Sequence, residues 1–101
     1  MAWRYCLLAA ALLGVASARA NEALAQSSHC LSCHAIDKKV VGPAFRDVAR
    51  RYAGQPGAAQ GLAAKVIAGG NGAWGVVYMP ANKTITPAQA RVLVDWVLSL
   101  K

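Results

Sequence analysis

Side chains that bind metals crowd six consecutive residues, from His29 to His34. Cys30 and Cys33 are separated by two residues, His34 follows Cys33 directly, and His29 precedes Cys30 as a possible fourth ligand. This pattern is compatible with a zinc site, a redox-active cysteine pair or a haem attachment site. The rest of the chain has to distinguish among these three chemistries.

Zinc and dithiol redox chemistry both lack the sequence context that they need. A structural zinc ion takes roughly four ligands, usually as two separated pairs. This chain has one pair, and His29 is too close in sequence to Cys30 to enclose the ion easily. A thioredoxin-like pair belongs to a strand-helix-strand setting, and no strand or crossover helix is evident around these cysteines. The sequence disfavours both alternatives.

A haem fits the spacing for a physical reason. On a helix, Cys30, Cys33 and His34 stand at positions i, i+3 and i+4 and share one face. Two thiols can add to the two vinyl groups of a haem while the imidazole reaches its iron, and Cys-x-x-Cys-His is the attachment pattern of c-type haem. The sequence therefore predicts one covalently attached haem c with iron, held by Cys30 and Cys33 and ligated by His34.

The second iron ligand is predicted largely by elimination. His29 is held beside an anchored cysteine, so it is poorly placed to reach the far face of the ring. Met79 follows a glycine-rich loop, Gly69 to Gly75, that could wrap the haem, and Pro80 comes directly after it. We predict that Met79 is the axial ligand opposite His34. Ligation by His and Met raises the reduction potential of a haem.

The N-terminus has the features of a cleavable secretory leader, predicted to span residues 1–20. Arg4 precedes the uncharged apolar run 6–16, and Ala18-Arg19-Ala20 offers small residues at the positions that a signal peptidase reads. The run is too short for a membrane-spanning helix, which needs about 20 residues. A second triplet ending at Ala25 leaves the cleavage point open between Ala20 and Ala25. We expect export to the periplasm, with no stable membrane insertion after cleavage.

The remaining residues, 21–101, are predicted to form one small all-α domain of about four short helices wrapped around the haem. A domain of this length has a thin core, which a large apolar cofactor would complete. The predicted elements are a helix from Glu22 to about Ile36 that carries the cysteines, a helix from Phe45 to Tyr52 ended by Gly54, a helical segment containing Leu62, Val66 and Ile67 that Gly69 stops, and a last helix that Thr86 begins.

The last helix carries the clearest signals. Thr86 suits the N-cap, Pro87 suits the first turn, and Gln89 stands where a capping box requires it. The apolar stripe that follows predicts packing against other helices, with Trp96 beside it; its members are Ala90, Leu93, Val97 and Leu100.

Taken together, these motifs resemble the small class I bacterial cytochromes c of the c-551 type. The resemblance covers residues 21–101 and rests on an ordered set of short motifs: Cys30-Leu31-Ser32-Cys33-His34, Val41-Gly42-Pro43-Ala44-Phe45, Trp74-Gly75, Met79-Pro80 and Trp96-Val97-Leu98-Ser99. It implies an all-α fold with the haem in a crevice and one haem edge exposed.

The resemblance also implies roles for four further residues in cofactor binding. Pro43 is similar to a proline whose carbonyl accepts the N–H of the iron-bound imidazole. Trp74 matches a tryptophan that bonds a haem propionate, and Lys65 stands where a basic residue often meets a propionate. Asn82 matches an asparagine near the methionine sulfur. Ala81 departs from the Pro-Pro pair that often follows the methionine.

These features predict a diffusible electron carrier and not an enzyme. A haem enzyme, a gas sensor or a domain of a larger haem oxidoreductase is the alternative, but it would need an open iron position with an acid or base over it. Residues 69–82 contain no His, Asp, Glu, Arg or Lys. The expected partners are redox proteins, such as a membrane cytochrome complex as donor and a terminal reductase or oxidase as acceptor. We expect a monomer that binds no nucleic acid.

The net charge of +7 suggests that electrostatic attraction contributes to the binding of such partners. Apolar residues near the expected haem edge are followed closely in sequence by cations, among them Lys38 and Lys39. We therefore hypothesise an apolar contact patch within a positive ring, which would steer acidic partners toward the haem edge.

Overall fold

The structure is a computed structural model and describes residues 19–100. The predicted leader, residues 1–20, lies almost wholly outside the described residues, so its cleavage stays a prediction. None of the helices within the described range is both long enough and apolar enough to cross a membrane.

Helices dominate the described part of the chain, with one small sheet between them. Helix α1 includes residues 19–27, and a 3-10 helix follows at Cys30–Ser32. The remaining helices are α2 (Phe45–Tyr52), α3 (Ala58–Ala68) and α4 (Pro87–Leu98). Strands β1 (Gly70–Gly72) and β2 (Gly75–Met79) form an antiparallel hairpin between α3 and α4.

The continuous first helix predicted from Glu22 to Ile36 is wrong. The α-helix ends at residue 27, and His29 takes a left-handed backbone conformation with φ 65° before the 3-10 turn begins. Ser27 turns its hydroxyl back onto the carbonyl of Leu24, at 3.1 Å. Serine side chains that bond the backbone in this way weaken a helix interior. The cysteines therefore lie on a separate turn, not on α1.

The expectation of an irregular glycine loop without strands is also wrong. Gly70 pairs with Met79 and Gly72 pairs with Gly75, with an irregular register between the two pairs. Strand β1 reads Gly-Asn-Gly, so it has almost no side chains whose alternation could reveal a strand. Both of its glycines have positive φ, Gly70 at 142° and Gly72 at 103°, a conformation that residues with side chains rarely adopt.

Helix α4 is the centre of the core, as the sequence predicted. It packs against both α2 and α3, and Ala90, Leu93 and Val97 are buried together with Trp96. The predicted capping box is present: Gln89 N–H donates to Thr86 Oγ1 at 3.1 Å, and Thr86 N–H donates to Gln89 Oε1 at 3.0 Å. Helix α3 begins at Ala58, earlier than its apolar pattern indicated.

Candidate functional site

One cleft collects the residues that the sequence singled out for chemistry. It has a volume of ≈ 300 Å³, within the range of cofactor pockets, and mostly apolar walls. The predicted site residues along it are Cys30, Cys33, His34, Pro43, Lys65, Trp74 and Met79. Asn82, which was also predicted to belong to the site, does not line it.

A single tight turn brings the two cysteines and His34 together. The carbonyl of Cys30 accepts the N–H groups of both Cys33, at 3.2 Å, and His34, at 2.9 Å. Both thiols are free and half-buried. The 3-10 turn thus places Cys30, Cys33 and His34 along one cleft, as a regular helix had been expected to do.

A backbone carbonyl fixes the protonation of the His34 ring. Nδ1 of His34 lies 2.7 Å from the carbonyl oxygen of Pro43, the contact that the resemblance implied. Because a carbonyl can only accept a hydrogen bond, Nδ1 carries the proton and Nε2 keeps the lone pair that a metal needs. The ring also stacks on Phe45, with centroids 5.1 Å apart and planes at 24°. Phe45 in turn meets the buried Trp96 edge-on.

Gly42 leaves room for the His34 imidazole. A Cβ atom at Gly42 would lie 2.4 Å from Cε1 of His34 and 2.8 Å from Nδ1, far inside van der Waals contact. The N–H of Gly42 donates to the carbonyl of Cys33 at 2.7 Å, so the backbone is held against the ring. The cradle around His34 is therefore built from Cys33, Gly42, Pro43 and Phe45.

The cysteines lack the properties of the alternative sites. Burial raises the pKa of the Cys30 thiol, against a smaller lowering by a backbone hydrogen bond, whereas a redox-active cysteine pair depends on a lowered thiol pKa. Among residues 19–100, no three His, Cys, Asp or Glu side chains come together as a metal site. The geometry therefore favours neither a dithiol catalyst nor a zinc ion.

Met79 reaches the cleft from strand β2, and the strand is fastened to the end of α3. We call residues 69–82 the Met79 segment. At its start, Gly69 N–H donates to the carbonyl of Lys65 at 2.7 Å, and at its end, Asn82 N–H donates to Val66 at 3.0 Å. Both carbonyls belong to the last turn of α3, where they have no partner within the helix.

The Asn82 side chain organises the chain after Met79. Its Nδ2 donates to the carbonyl of Ser28 at 3.0 Å, and its Oδ1 accepts from the backbone of Thr84 and Ile85 and from the Thr84 hydroxyl. These contacts join Ser28, two residues before the Cys-x-x-Cys-His motif, to the end of the Met79 segment. The predicted role of Asn82 beside the methionine sulfur stays a prediction.

Trp74 lies at the tip of the hairpin under an arginine from α2. The guanidinium carbon of Arg51 is 4.4 Å from the centre of the Trp74 ring, and Arg51 Nη1 donates to the carbonyl of Ala73 at 2.5 Å. The indole remains 43% exposed. Lys65 lines the same cleft from α3. The structure thus brings both predicted propionate partners to the cleft.

Four residues of the site were not recognised from the sequence: Gly42, Phe45, Arg51 and Gly69. The two glycines had been interpreted only as breaks in secondary structure, and Arg51 as part of a basic stretch. Their roles depend on what packs against them, which the one-dimensional pattern does not contain. Gly42 and Phe45 both belong to the Val41-Gly42-Pro43-Ala44-Phe45 motif, but the motif alone assigned neither of them a role.

The residues of the cleft fit a c-type haem. Two thiols, an imidazole and a thioether face one apolar cavity, which is the donor set that such a haem uses. The His34 ring occupies the space beside Gly42. The imidazole is therefore packed against the side of the cleft.

Comparison with known proteins gives a consistent result. The family model for cytochrome c matches residues 18–101. The chain is 43% identical to cytochrome c-552 of Nitrosomonas europaea, over 99% of this chain and 97% of that protein. It is 55% identical to cytochrome c2 of Rhodocyclus tenuis, over 80% of this chain and 92% of the relative.

A solved structure shows the same fold. The crystal structure of wild-type Nitrosomonas europaea cytochrome c552 superimposes with a TM-score of 0.77 and 44% identity, covering 79% of this chain and 99% of that one. The helical fold that the resemblance implied is confirmed by this likeness, with the β1-β2 hairpin as an addition to the expected helices.

Proposed function

Because this chain belongs to the cytochrome c family, we propose that it is an exported electron carrier that exchanges single electrons with redox proteins. The observation that carries the proposal is the cleft itself. It unites the thiols of Cys30 and Cys33, the oriented imidazole of His34 and the thioether of Met79. When bound, the haem c supplies the one-electron couple of its iron.

In this proposal, Cys30 and Cys33 attach the haem through thioethers, and His34 ligates the iron through Nε2. The hydrogen bond from Nδ1 to the Pro43 carbonyl orients the imidazole and raises its basicity. Hydrogen-bond partners of metal-binding histidines commonly have this role. Stacking on Phe45 fixes the ring plane. These two contacts hold His34 in the orientation in which it would bind the iron.

Met79 fills the second axial position in this proposal, which separates a carrier from an enzyme. With both positions occupied, the iron offers no site for oxygen or a substrate. The Met79 segment contains no His, Asp, Glu, Arg or Lys. Arg51 does approach the hairpin from α2, but its guanidinium is engaged by Ala73 and Trp74 and cannot serve as a proton donor at neutral pH. These features support electron transfer over catalysis.

Trp74 and Lys65 are proposed to meet the haem propionates. An indole N–H donates only and a lysine ammonium donates and is charged, so both suit a carboxylate partner. Both lie along the cleft. Nδ2 of Asn82 has two N–H groups, and one of them donates to the carbonyl of Ser28. We propose that the other donates to the Met79 sulfur.

Contact with partners is proposed to occur at the open side of the cleft. Val41 and Val77, which line it, are 49% and 61% exposed, and the neighbouring Val76 is 89% exposed. Of the nearby cations, Lys38 and Lys39 are exposed, while Arg50 pairs with Asp47. We propose that Lys38 and Lys39 steer acidic redox proteins in the periplasm toward this apolar patch. Export, the monomeric state and the identity of donor and acceptor belong to the same proposal.

The visible spectrum of the protein produced with haem-attachment machinery tests the core of this proposal. We expect a sharp α band on reduction and haem that stays on the chain in denaturant. The oxidised form should show the weak near-infrared band that reports a sulfur-iron bond. In Met79→Ala that band should vanish, the potential should fall, and the reduced iron should bind carbon monoxide. A band that survives the substitution would exclude Met79 as the ligand.

A further inference from the structure

Gly69 lies where the Met79 segment crosses the end of α3. Its φ is +74°, and a Cβ atom there would be 2.6 Å from the carbonyl oxygen of Met79 and 2.6 Å from the amide nitrogen of Ala81. The carbonyl carbon of Pro80 would be 3.0 Å away. All three atoms are backbone, so no side chain can rotate aside to make room.

The same crossing is held by hydrogen bonds on both sides of the contact. The carbonyls of Lys65 and Val66, in the last turn of α3, accept from Gly69 and Asn82. The bond from Gly69 ends α3, and the bond from Asn82 holds the backbone of Met79 to Ala81 directly against Gly69. Any side chain at position 69 has to lift this stretch away from α3.

We propose that Gly69 is a positioning residue for the Met79 sulfur. Its missing side chain sets how closely the strand that carries Met79 approaches the helical frame, and hence how far the thioether extends into the cleft. The inference rests on the proposed ligation by Met79, and it assigns the strength of that ligation to a residue ten positions earlier in the chain.

Competition by imidazole for the iron of the oxidised holoprotein measures this effect. Gly69→Ala should bind imidazole on the order of tenfold more tightly than the wild type, because the new methyl group collides with the backbone of Met79 and Ala81 and weakens the bond that imidazole displaces. The near-infrared sulfur-iron band should weaken in the same variant without added ligand.

Two glycines serve as matched controls. Gly57 has φ +76°, almost the same as Gly69, and Gly75 has φ +113° within the same hairpin; a Cβ atom at either would meet nothing within 4 Å. Neither lines the cleft. Gly57→Ala and Gly75→Ala carry the backbone strain without the collision, so their imidazole affinities should stay within about twofold of the wild type.

The outcomes separate the inference from the proposed function. If the wild type has the sulfur-iron band but Gly69→Ala resists imidazole as well as the controls do, the positioning role is wrong and ligation by Met79 stands. If the wild type lacks the band, ligation by Met79 fails and the positioning role fails with it.

Amide hydrogen exchange of the wild-type holoprotein decides the matter if Gly69→Ala does not assemble. The Asn82 amide, bonded to Val66, should exchange at least about a hundredfold more slowly than the neighbouring Lys83 amide, for which the described residues provide no acceptor. Equal exchange at Asn82 and Lys83 would mean that the Met79 segment is not seated on α3, and would overturn the inference.

Discussion

Replacement of Gly42 by alanine should disturb the packing around His34 and destabilise the protein more than a substitution on its surface would. Gly42 does not have positive φ, so alanine suits the backbone and the whole effect comes from the new methyl group. That group would start 2.4 Å from the imidazole, and the ring would have to move by roughly 1 Å to restore ordinary contact. Such a shift breaks the 2.7 Å hydrogen bond to Pro43.

The expected cost follows from two separate losses. Overpacking against a held ring costs about 1–3 kcal/mol, and the lost hydrogen bond adds about 1 kcal/mol. The free energy of unfolding of Gly42→Ala should therefore fall by about 2–4 kcal/mol. The reduction potential should also change, because the imidazole loses the carbonyl behind it.

Guanidinium unfolding of the oxidised holoprotein measures the loss, with Gly61→Ala as the control. Gly61 lies inside α3 with nothing within 4 Å of its Cβ position. Alanine there should stabilise the protein by about 1 kcal/mol through helix propensity alone. Two glycine-to-alanine changes should thus shift the midpoint in opposite directions. The reasoning about the cradle is refuted if Gly42→Ala unfolds within about 0.5 kcal/mol of the wild type.

Three further predictions concern the cap, the hairpin and the surface charge. Thr86→Ala should lower the free energy of unfolding by about 1 kcal/mol, since it removes half of the α4 capping box, and Thr86→Ser should restore most of that loss. Arg51→Gln should speed amide exchange in β1 and β2 and alter the Trp74 fluorescence, while Arg50→Gln on the same helix should do neither. Replacing Lys38 and Lys39 by glutamate should slow oxidation by the anion hexacyanoferrate(III) by up to about tenfold at low salt. Equal rates at all ionic strengths would argue against a positive rim at the cleft.

The elements that could be predicted from the sequence are those whose signals are local. Thr86, Pro87 and Gln89 announce the start of α4 within four residues, and the spacing of Ala90, Leu93 and Val97 gives its buried face. The Cys-x-x-Cys-His motif predicts its chemistry because three side chains within five residues must share one turn. Local signals therefore sufficed for these parts.

The rest depends on neighbours that are distant in sequence. Gly42 and Gly69 look alike as helix breakers, yet one accommodates a side chain and the other a crossing strand. The hairpin was missed because strand β1 lacks the side chains whose alternation identifies a strand. The first helix was predicted too long because the stretch from Glu22 to Ile36 contains no Gly or Pro to end it. The helix stops after Ser27, whose hydroxyl bonds to the backbone and competes with the helix.

The two walls of the cleft are attached to the protein in different ways. His34 stacks on Phe45, and Phe45 packs against the core residue Trp96. A substitution on this side therefore disturbs the packing of the helical core. The Met79 segment instead begins and ends at the last turn of α3, and between these points its contacts are with Arg51 on α2 and, at its end, with Ser28. Because the entropy of closing such a loop grows only slowly with its length, residues can be inserted or removed within it without moving α2 or α4. The segment is thus a module whose sequence and length can change while the His34 side of the cleft stays constant.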